Sequence, residues 1–355
     1  MTNMFDITTY GAIGDGATDC TAFIQKALDD AAACRGVVTV PPGKYLTGKL
    51  KMGAGVSLEG HSAWSFRSDG ASIFLLKDAE NDCLLDITGA FGCAIRGMCL
   101  DGRGLGEKIH GVSLYWPVYN GGSEEDTPTI DDCRIGNFSG DGVRLEHIWC
   151  FSVRHSMLHR NGGAGLYIDG WDGFLIDNWF TGNGTGGMVG GPCAASITAT
   201  GNRVEWNRRA GFYLPNCNCC NFTGNYFDRS GGPGLYLGAK DGEALAISAT
   251  GNIIYRSGKP FAGGFEDPYD NSHVRIIKGE NVVFTGNTFR LGRDDGGMGV
   301  WSPDHVAVIE DSVATVFEHN VWQGGSLRDG IILLGDNKEV SAASNIGMAT
   351  PKDGE

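Results

Sequence analysis

From residue 129 onward the chain alternates apolar and polar positions in short runs, each closed by Gly, Asn or Asp, and the same arrangement keeps returning. TIDDCRIGNFSGDGVRL is followed by FSVRHSMLHRNGGAGLYI, FLIDNWFTGNGTGGMVG, SITATGNRVEWNRRAGFYL and CNFTGNYFDRSGGPGLYL. Aligned on their centres, these segments put Cys133, Ser156, Asn178, Asn202 and Asn225 in one column at separations of 23, 22, 24 and 23 residues. Asn252, Asn287 and Asn320 continue it at 27, 35 and 33, so insertions fall there. Alternation with period two predicts half-buried strands. One strand per unit buries Val153 and Leu158, Leu175 and Phe180, Ala199 and Val204, or Phe222 and Phe227. A second, opened by Gly, buries Val143 and Leu145, Leu166 and Ile168, Phe212 and Leu214, or Leu235 and Leu237. Strands this short cannot close a core alone, whereas units stacked at about 4.8 Å form parallel sheets around a continuous interior. The recurring Asn is expected to sit in a turn, bond its equivalents above and below, and tolerate a left-handed backbone. A leucine-rich repeat shares the period, but its L-x-x-L-x-L spine is absent. The pattern therefore predicts an all-β protein, a single-stranded right-handed parallel β-helix.

The N-terminus is expected to supply an α-helical cap. Asp19-Cys20-Thr21 precedes AFIQKALDDAAA, with Phe23, Ile24, Ala27, Leu28 and Ala31 on one face, ahead of strands in GVVTVPPGKYLT and GVSLEG. A helix laid across the end would shield unpaired strand edges. The expected organisation is one β-helix domain over 1–355: strand and capping helix in 1–36, rungs in 37–346 and a tail in 347–355.

Composition sharpens this. Glycine makes up 57 of 355 residues without a Gly-X-Y period, which excludes collagen, and 41% hydrophobic content argues against disorder. Net charge is −14, unfavourable for nucleic acid and less suited to a polyanionic polysaccharide than to a neutral one. No apolar run of about 18 residues predicts a membrane span. MTNMFDITTYGAIGDG lacks a basic region followed by an apolar stretch, and the 11 cysteines are odd in number. Free thiols in a reducing, cytoplasmic setting are expected, with non-classical export or a place in a phage particle left open. Cys217, Cys219 and Cys220 have C-x-C-C spacing, which is not a standard zinc pattern, so neither a metal nor a nucleotide cofactor is expected.

FDITTYGAIGDGATDCTAFIQKALDDAA and RGVVTVPPGKYL resemble the N-terminal signature of the pectate-lyase-like (pectin lyase-like) right-handed β-helix superfamily. That superfamily includes polygalacturonases, uronan epimerases, phage tailspikes and inulin fructotransferases. The likeness covers about the first 60 residues well and speaks to fold more than to reaction. Against polygalacturonases, Gly140-Asp141-Gly142 stands where Gly-Asp-Asp would be, Gly-His-Gly is missing, and Arg275-Ile276-Ile277-Lys278 is a loose echo of Arg-Ile-Lys. Against alginate epimerases, Asp267-Pro268-Tyr269-Asp270 carries Tyr where Asp-Pro-His-Asp has its His. The chain is more similar to the inulin fructotransferase and difructose-anhydride hydrolase family, through GHSAWSFRS, MCLDGRGLGEK, FEDPYDNSHVRIIKGENVVFTGNTF and DGIILL in that order. That family's two catalytic carboxylates fall near Trp149 and Arg160 here, so the resemblance implies sugar-active ancestry and not that exact reaction.

The columns supply candidates of their own. Three positions after the Asn column come His159, Thr181, Glu205, Asp228 and Tyr255, then Arg160, Gly182, Trp206, Arg229 and Arg256. Glu205 and Asp228 are expected outward on adjacent rungs about 5 Å apart, close enough for one to act as acid and the other as nucleophile or base in glycosidic cleavage, with His159 nearby in the column. Trp206 would stack on a sugar and Arg160, Arg229, Arg256 and Tyr255 would bind it; alternatively the acids merely pair with Arg229 or Arg208. Asp132, His155 and Asp177 form a second ladder, either a tuned base or a solvated ion-pair row. Trp149 and Trp171 are expected to stack as a sugar platform or subunit contact. The insertion 258–272 brings Asp267, Tyr269, Asp270 and His273, able to complete a site from above or from a neighbouring subunit of a homotrimer. The reading is an enzyme that cleaves or rearranges glycosidic bonds of an oligo- or polysaccharide. The alternatives are a uronate epimerase or lyase, with Tyr255 beside Arg229 and Arg256, and a noncatalytic tailspike-like sugar-binding protein.

Overall fold

In a computed structural model the described residues are 3–62, 70–119, 124–291, 302–322, 324–347 and 352–353. Most of GHSAWSFRS and of the tail ATPKDGE lies outside them. The chain divides into two compact units, Met1–Trp179 and Phe180–Glu355.

In the first unit each strand lies parallel to its equivalent one turn on. Along one face Met4–Asp6, Val37–Thr39, Ser57–Glu59, Ala94–Arg96 and Thr129–Asp131 pair in succession. A second face runs through Cys83–Asp86, His110–Tyr115, Val143–Arg154 and Ala164–Ile176. A third runs from Gly43–Thr47 through Ser72–Leu76, Cys99–Asp101 and Arg134–Gly136 to Met157–His159. The helix Thr21–Ala32 packs on Met4–Asp6, Val37–Thr39 and Leu50–Lys51 at the N-terminal end, as its shielding role requires. It buries Ile24, Ala27, Leu28 and Ala31, but Phe23 is 39% exposed and rests against Gly11 instead of joining that face. Asp19 Oδ1 accepts from the Thr21 backbone N–H at 3.0 Å, supplying the cap that Cys20 does not.

The second unit repeats the design. Ala210–Leu214, Leu235–Leu237, Ser272–Ile277, His305–Glu310 and Ile331–Leu334 form one parallel face. Arg203–Glu205, Tyr226–Asp228, Ile253–Tyr255 and Thr288–Arg290 form another. The architecture is a parallel β-helix, as expected, and every inward residue named from the alternation is buried. The expected pair of short strands per rung is incomplete. Val143–Arg154, Ala164–Ile176 and Gly186–Thr200 are long strands that bend from one face into the next. Near His147 the register shifts between Glu146 and Ile148, which hides the bend from a strict period-two reading.

The Asn column is a continuous ladder in the second unit. Asn252 Oδ1 accepts from Asn225 N and Nδ2 at 2.9 and 3.0 Å, while its own Nδ2 donates to Asn287 Oδ1 at 2.9 Å and to Phe222 O at 2.9 Å. The left-handed residue is the one before the column, not the Asn itself: Gly201, Gly224, Gly251 and Gly286 have φ between 65° and 69°. In the first unit Asp132, His155 and Asp177 hold that conformation with side chains. Asn252→Ala orphans several buried partners at once and is expected to cost about 2–4 kcal/mol, read as a lower urea midpoint. His155→Gly should raise the midpoint, by roughly 0.5–1 kcal/mol, because left-handed backbone costs a side chain more than His155 recovers from exposed contacts at 3.4 and 3.5 Å.

Candidate active site

The expected column of acids exists in register: Glu205 pairs with Asp228, and Asp228 with Tyr255. Its chemistry differs from the expectation. Both carboxylates are 4% exposed and already engaged, Glu205 by Arg203 Nε at 2.8 Å and Asp228 by Arg256 Nε at 2.7 Å. Arg203 and Arg256 are partners that the sequence reading did not name for these acids. The guanidiniums of Arg229 and Arg256 lie over the rings of Trp206 and Tyr255, at 4.4 and 4.0 Å from the centroids. Trp206, Arg229 and Arg256 all have positive φ, so this column of the second unit is a left-handed corner sealed by arginine and aromatic side chains; Arg160 in the first unit has positive φ too. His159, in the first unit, is buried and packs where Gly136 has no Cβ; burial and the charges of Arg134 and Arg160 push its pKa down to about 4. It is a neutral ring, not an exposed base. His273 is likewise interior, its Nε2–H donating to Gly325 O at 2.8 Å, and burial pushes its pKa down to about 4. Cys217 and Cys220 are buried while Cys219 is exposed, so the three thiols do not converge.

In the first unit the outward positions of Val143–Arg154 and Ala164–Ile176 carry a different cluster. The register sets Arg144 beside Tyr167, Glu146 beside Asp169 and Trp149 beside Trp171. Arg144 binds two acids, Glu146 through Nε at 2.7 Å and Asp141 through Nη1 at 2.9 Å, and its guanidinium lies 3.9 Å from the centre of the Tyr167 ring. Asp141 is fixed further by the Ala164 N–H at 2.7 Å, and its own N–H donates to His110 Nδ1 at 2.9 Å. Burial lowers the pKa of His110, in keeping with a neutral ring that accepts at Nδ1. The Gly140 position explains the close fit, because a Cβ there would stand 2.7 Å from the same nitrogen. Gly140-Asp141-Gly142 thus anchors the strand that presents Arg144 and Glu146.

Asp169 is the hub. Tyr119 Oη donates to its Oδ1 at 3.1 Å, and His147 Nε2 stands 3.4 Å from Oδ2. Tyr119 also packs against His147 and Trp171, with ring centroids at 4.5 and 4.7 Å. His147 Nδ1 lies 2.6 Å from Trp116 O, so that nitrogen carries the proton donated to the carbonyl. Nε2 is thus the nitrogen that faces Asp169. Trp149 and Trp171 stand on neighbouring turns, but Trp149 Nε1 is committed to Asp172 at 3.0 Å and Trp171 to packing on Tyr119. Glu146 and Asp169 were within reach of sequence reasoning. Both lie four residues after the glycine that opens a strand, Gly142 and Gly165, and they are 23 residues apart.

In the second unit Asp267, Tyr269 and Asp270 lie on the outer face of the sheet. The 3-10 turn Pro268–Asp270 sits over Arg275, which is 0% exposed and touches Asp267, Asp270 and Glu310. Tyr269 packs on Val308, Ile332 and Leu334.

These two units define the class, a parallel β-helix with polar clusters on outward strand faces. A family profile described as rhamnogalacturonase A/epimerase, pectate lyase-like matches residues 4–218, and a right handed beta helix region matches 189–346. The chain belongs to the rhamnogalacturonase A/epimerase, pectate lyase-like family. Mannuronan C5-epimerase AlgE4 of Azotobacter vinelandii is 28% identical over 197 residues, covering 50% of this chain and 34% of that protein. AlgE3 and AlgE1 of the same organism match at 28% and 29%, over 10% and 13% of their lengths, so the chain spans about a third or less of these relatives. Among solved structures, the AlgE4 A-module is similar with a TM-score of 0.73 at 18% identity, covering 99% of both chains. DFA-IIIase of Arthrobacter chlorophenolicus A6 gives 0.68 at 15% identity, with 99% and 100% covered. The catalytic unit of a GH87 α-1,3-glucanase from Streptomyces thermodiastaticus gives 0.69 at 18%, with 99% and 70% covered.

Proposed function

We propose that this chain is a carbohydrate-active enzyme that cleaves or rearranges glycosidic bonds of a neutral oligo- or polysaccharide, using the outward cluster of its first unit. The observation that carries this reading is the register pair Glu146–Asp169 with His147 and Tyr119 on Asp169. The His147–Asp169 pair would protonate the glycosidic oxygen as the C–O bond breaks and its electrons pass to that oxygen. Glu146, held by Arg144, would act as nucleophile or base, and the deprotonated pair would then accept a proton from the incoming water or sugar hydroxyl. Adjacent strands stand about 4.8 Å apart, which favours the closer carboxyl spacing of retaining enzymes, about 5–5.5 Å. The similarity to an epimerase of mannuronan, an α-1,3-glucanase and a DFA-IIIase supports a saccharide substrate.

A uronate epimerase or lyase is the second reading, favoured by the Tyr119–Asp169–His147 set, since such reactions need a base and an acid around C5. Electrostatics favours the first. Asp141, Glu146 and Asp169 outnumber Arg144, whose guanidinium is already shared by two of them. That surplus stabilises a cation-like sugar and repels a uronate carboxylate. Incubation with inulin, difructose anhydrides, α- and β-glucans, alginate and pectate separates the readings. New reducing ends or transfer products from a neutral glycan, with retained anomeric configuration, are expected. An unsaturated uronide or C5-inverted alginate as the sole product would replace this reading with the second.

A further inference from the structure

The second unit holds another polar centre that the proposed chemistry does not use. Two cavities of about 640 and 670 Å³ share the side chains of Tyr236 and Glu266 as lining. The first is also lined by Lys240, Asp267, Tyr269 and Glu310, the second by Arg208, Arg209, Tyr213 and Asp270. Tyr213 and Tyr236 are register neighbours whose rings meet edge to face at 4.9 Å. Tyr236 is in turn the register neighbour of Arg275.

Arg275 is the unusual member. Its Nη2 binds Glu310 and reaches Asp267 at 3.4 Å, yet its buried Nε and Nη1 have no hydrogen-bond partner among the described residues. Asp270 Oδ1, 3.5 Å from that Nε, is also buried and without one. At that distance the two form an ion pair that holds Asp270 at the cavity wall. The charges narrow the ligand. A cation meets Arg275, Lys240 and the Arg208–Arg209 pair; an anion meets Asp267, Asp270, Glu310 and Glu266. A neutral ligand dense in hydroxyls is repelled by neither set, and Tyr213 and Tyr236 supply faces on which a sugar ring packs.

We propose that these two cavities form a second saccharide-binding site for a neutral chain, centred on the Asp267–Asp270 turn, with Arg275 holding the carboxylates that accept the sugar hydroxyls. The proposal takes only the ligand class from the preceding reading; its residues are a separate set. Arg275 acts here as a positioning residue.

The test uses the full chain carrying Glu146→Gln, so that no probe is consumed. Maltohexaose, laminarihexaose and an inulin-type hexamer serve as neutral probes, tetragalacturonate as the anionic one and a chitosan tetramer as the cationic one. A neutral probe should slow amide hydrogen exchange in residues 258–272 of this protein and of the wild type. Adding Tyr236→Ala or Glu266→Gln should raise its Kd at least tenfold with an unchanged thermal midpoint. Glu266→Gln keeps the test decisive if Tyr236→Ala does not fold. The proposal is overturned if no neutral probe slows exchange in 258–272 at millimolar concentration, if only a charged probe does, or if binding ignores both variants in folded protein. Each outcome stands apart from catalysis: loop protection without turnover in the wild type would sink the catalytic reading alone, and turnover without loop protection this one alone.

Discussion

Glu146→Gln is expected to lower turnover of a neutral glycan by about 10²–10⁴-fold, with Asp169→Asn in the same range. Glu146 and Asp169 face each other across neighbouring strands, and each is oriented by partners that leave the backbone undisturbed when its charge is removed. The substitutions are nearly isosteric, so folding should survive, and a KM close to wild type would place the loss in the chemical step. Glu146→Gln removes the proposed nucleophile or base; Asp169→Asn removes the carboxylate that faces His147 Nε2. The two variants should differ in one respect. Added azide or formate should restore product formation to a Glu146→Ala protein, since a small anion replaces a carboxylate nucleophile, but not to Asp169→Asn. Turnover within a fewfold of wild type for both variants, on any glycan the protein processes, would refute the assignment.

Arg275→Met should cost about 3–5 kcal/mol of stability at pH 8, because it leaves Asp267, Asp270 and Glu310 facing one another without their shared cation. The loss should shrink at pH 5. Asp270 shows why: burial first, and the neighbouring Asp267 charge next, push its pKa up to about 6, while Arg275 pulls in the opposite direction. A carboxyl whose folded pKa exceeds its unfolded value of 3.8 binds more protons folded than unfolded between those two values. Its contribution is complete below pH 4 and is lost as pH rises through 6. Removing Arg275 raises that folded value further, so the variant recovers most where Asp270 is protonated. Urea unfolding at pH 5 and pH 8 measures this, and an equal deficit at both would show that Arg275 contributes by packing alone.

The repeat was legible because a strand's inside and outside alternate strictly, and stacking copies that alternation every turn. That is why Leu175, Phe180, Phe222 and Phe227 read as inward from the alternation alone, and they are buried. The same ruler set Glu205 beside Asp228 and Trp149 beside Trp171. It could not say what covers an outward side chain. Arg203 and Arg256 close over Glu205 and Asp228 because their own backbone positions aim them there.

The surroundings of Glu146 and Asp169 escaped for a related reason. His147 breaks the alternation with a positive φ at the register shift, so the strand around Glu146 reads as irregular. Tyr119 reaches Asp169 from a segment 50 residues earlier, outside the repeat altogether. Arg275 and Asp267 are only 8 residues apart, yet the ion pair depends on an insertion folding back over the sheet, which no period describes.

What the sequence determined by itself was the period, the inward columns and hence the parallel β-helix, because those follow from which side of a strand must avoid water. Only the tertiary structure decided which neighbours hold each outward acid, arginine alone or a histidine and a tyrosine as at Asp169, since that depends on side chains converging from different turns and loops.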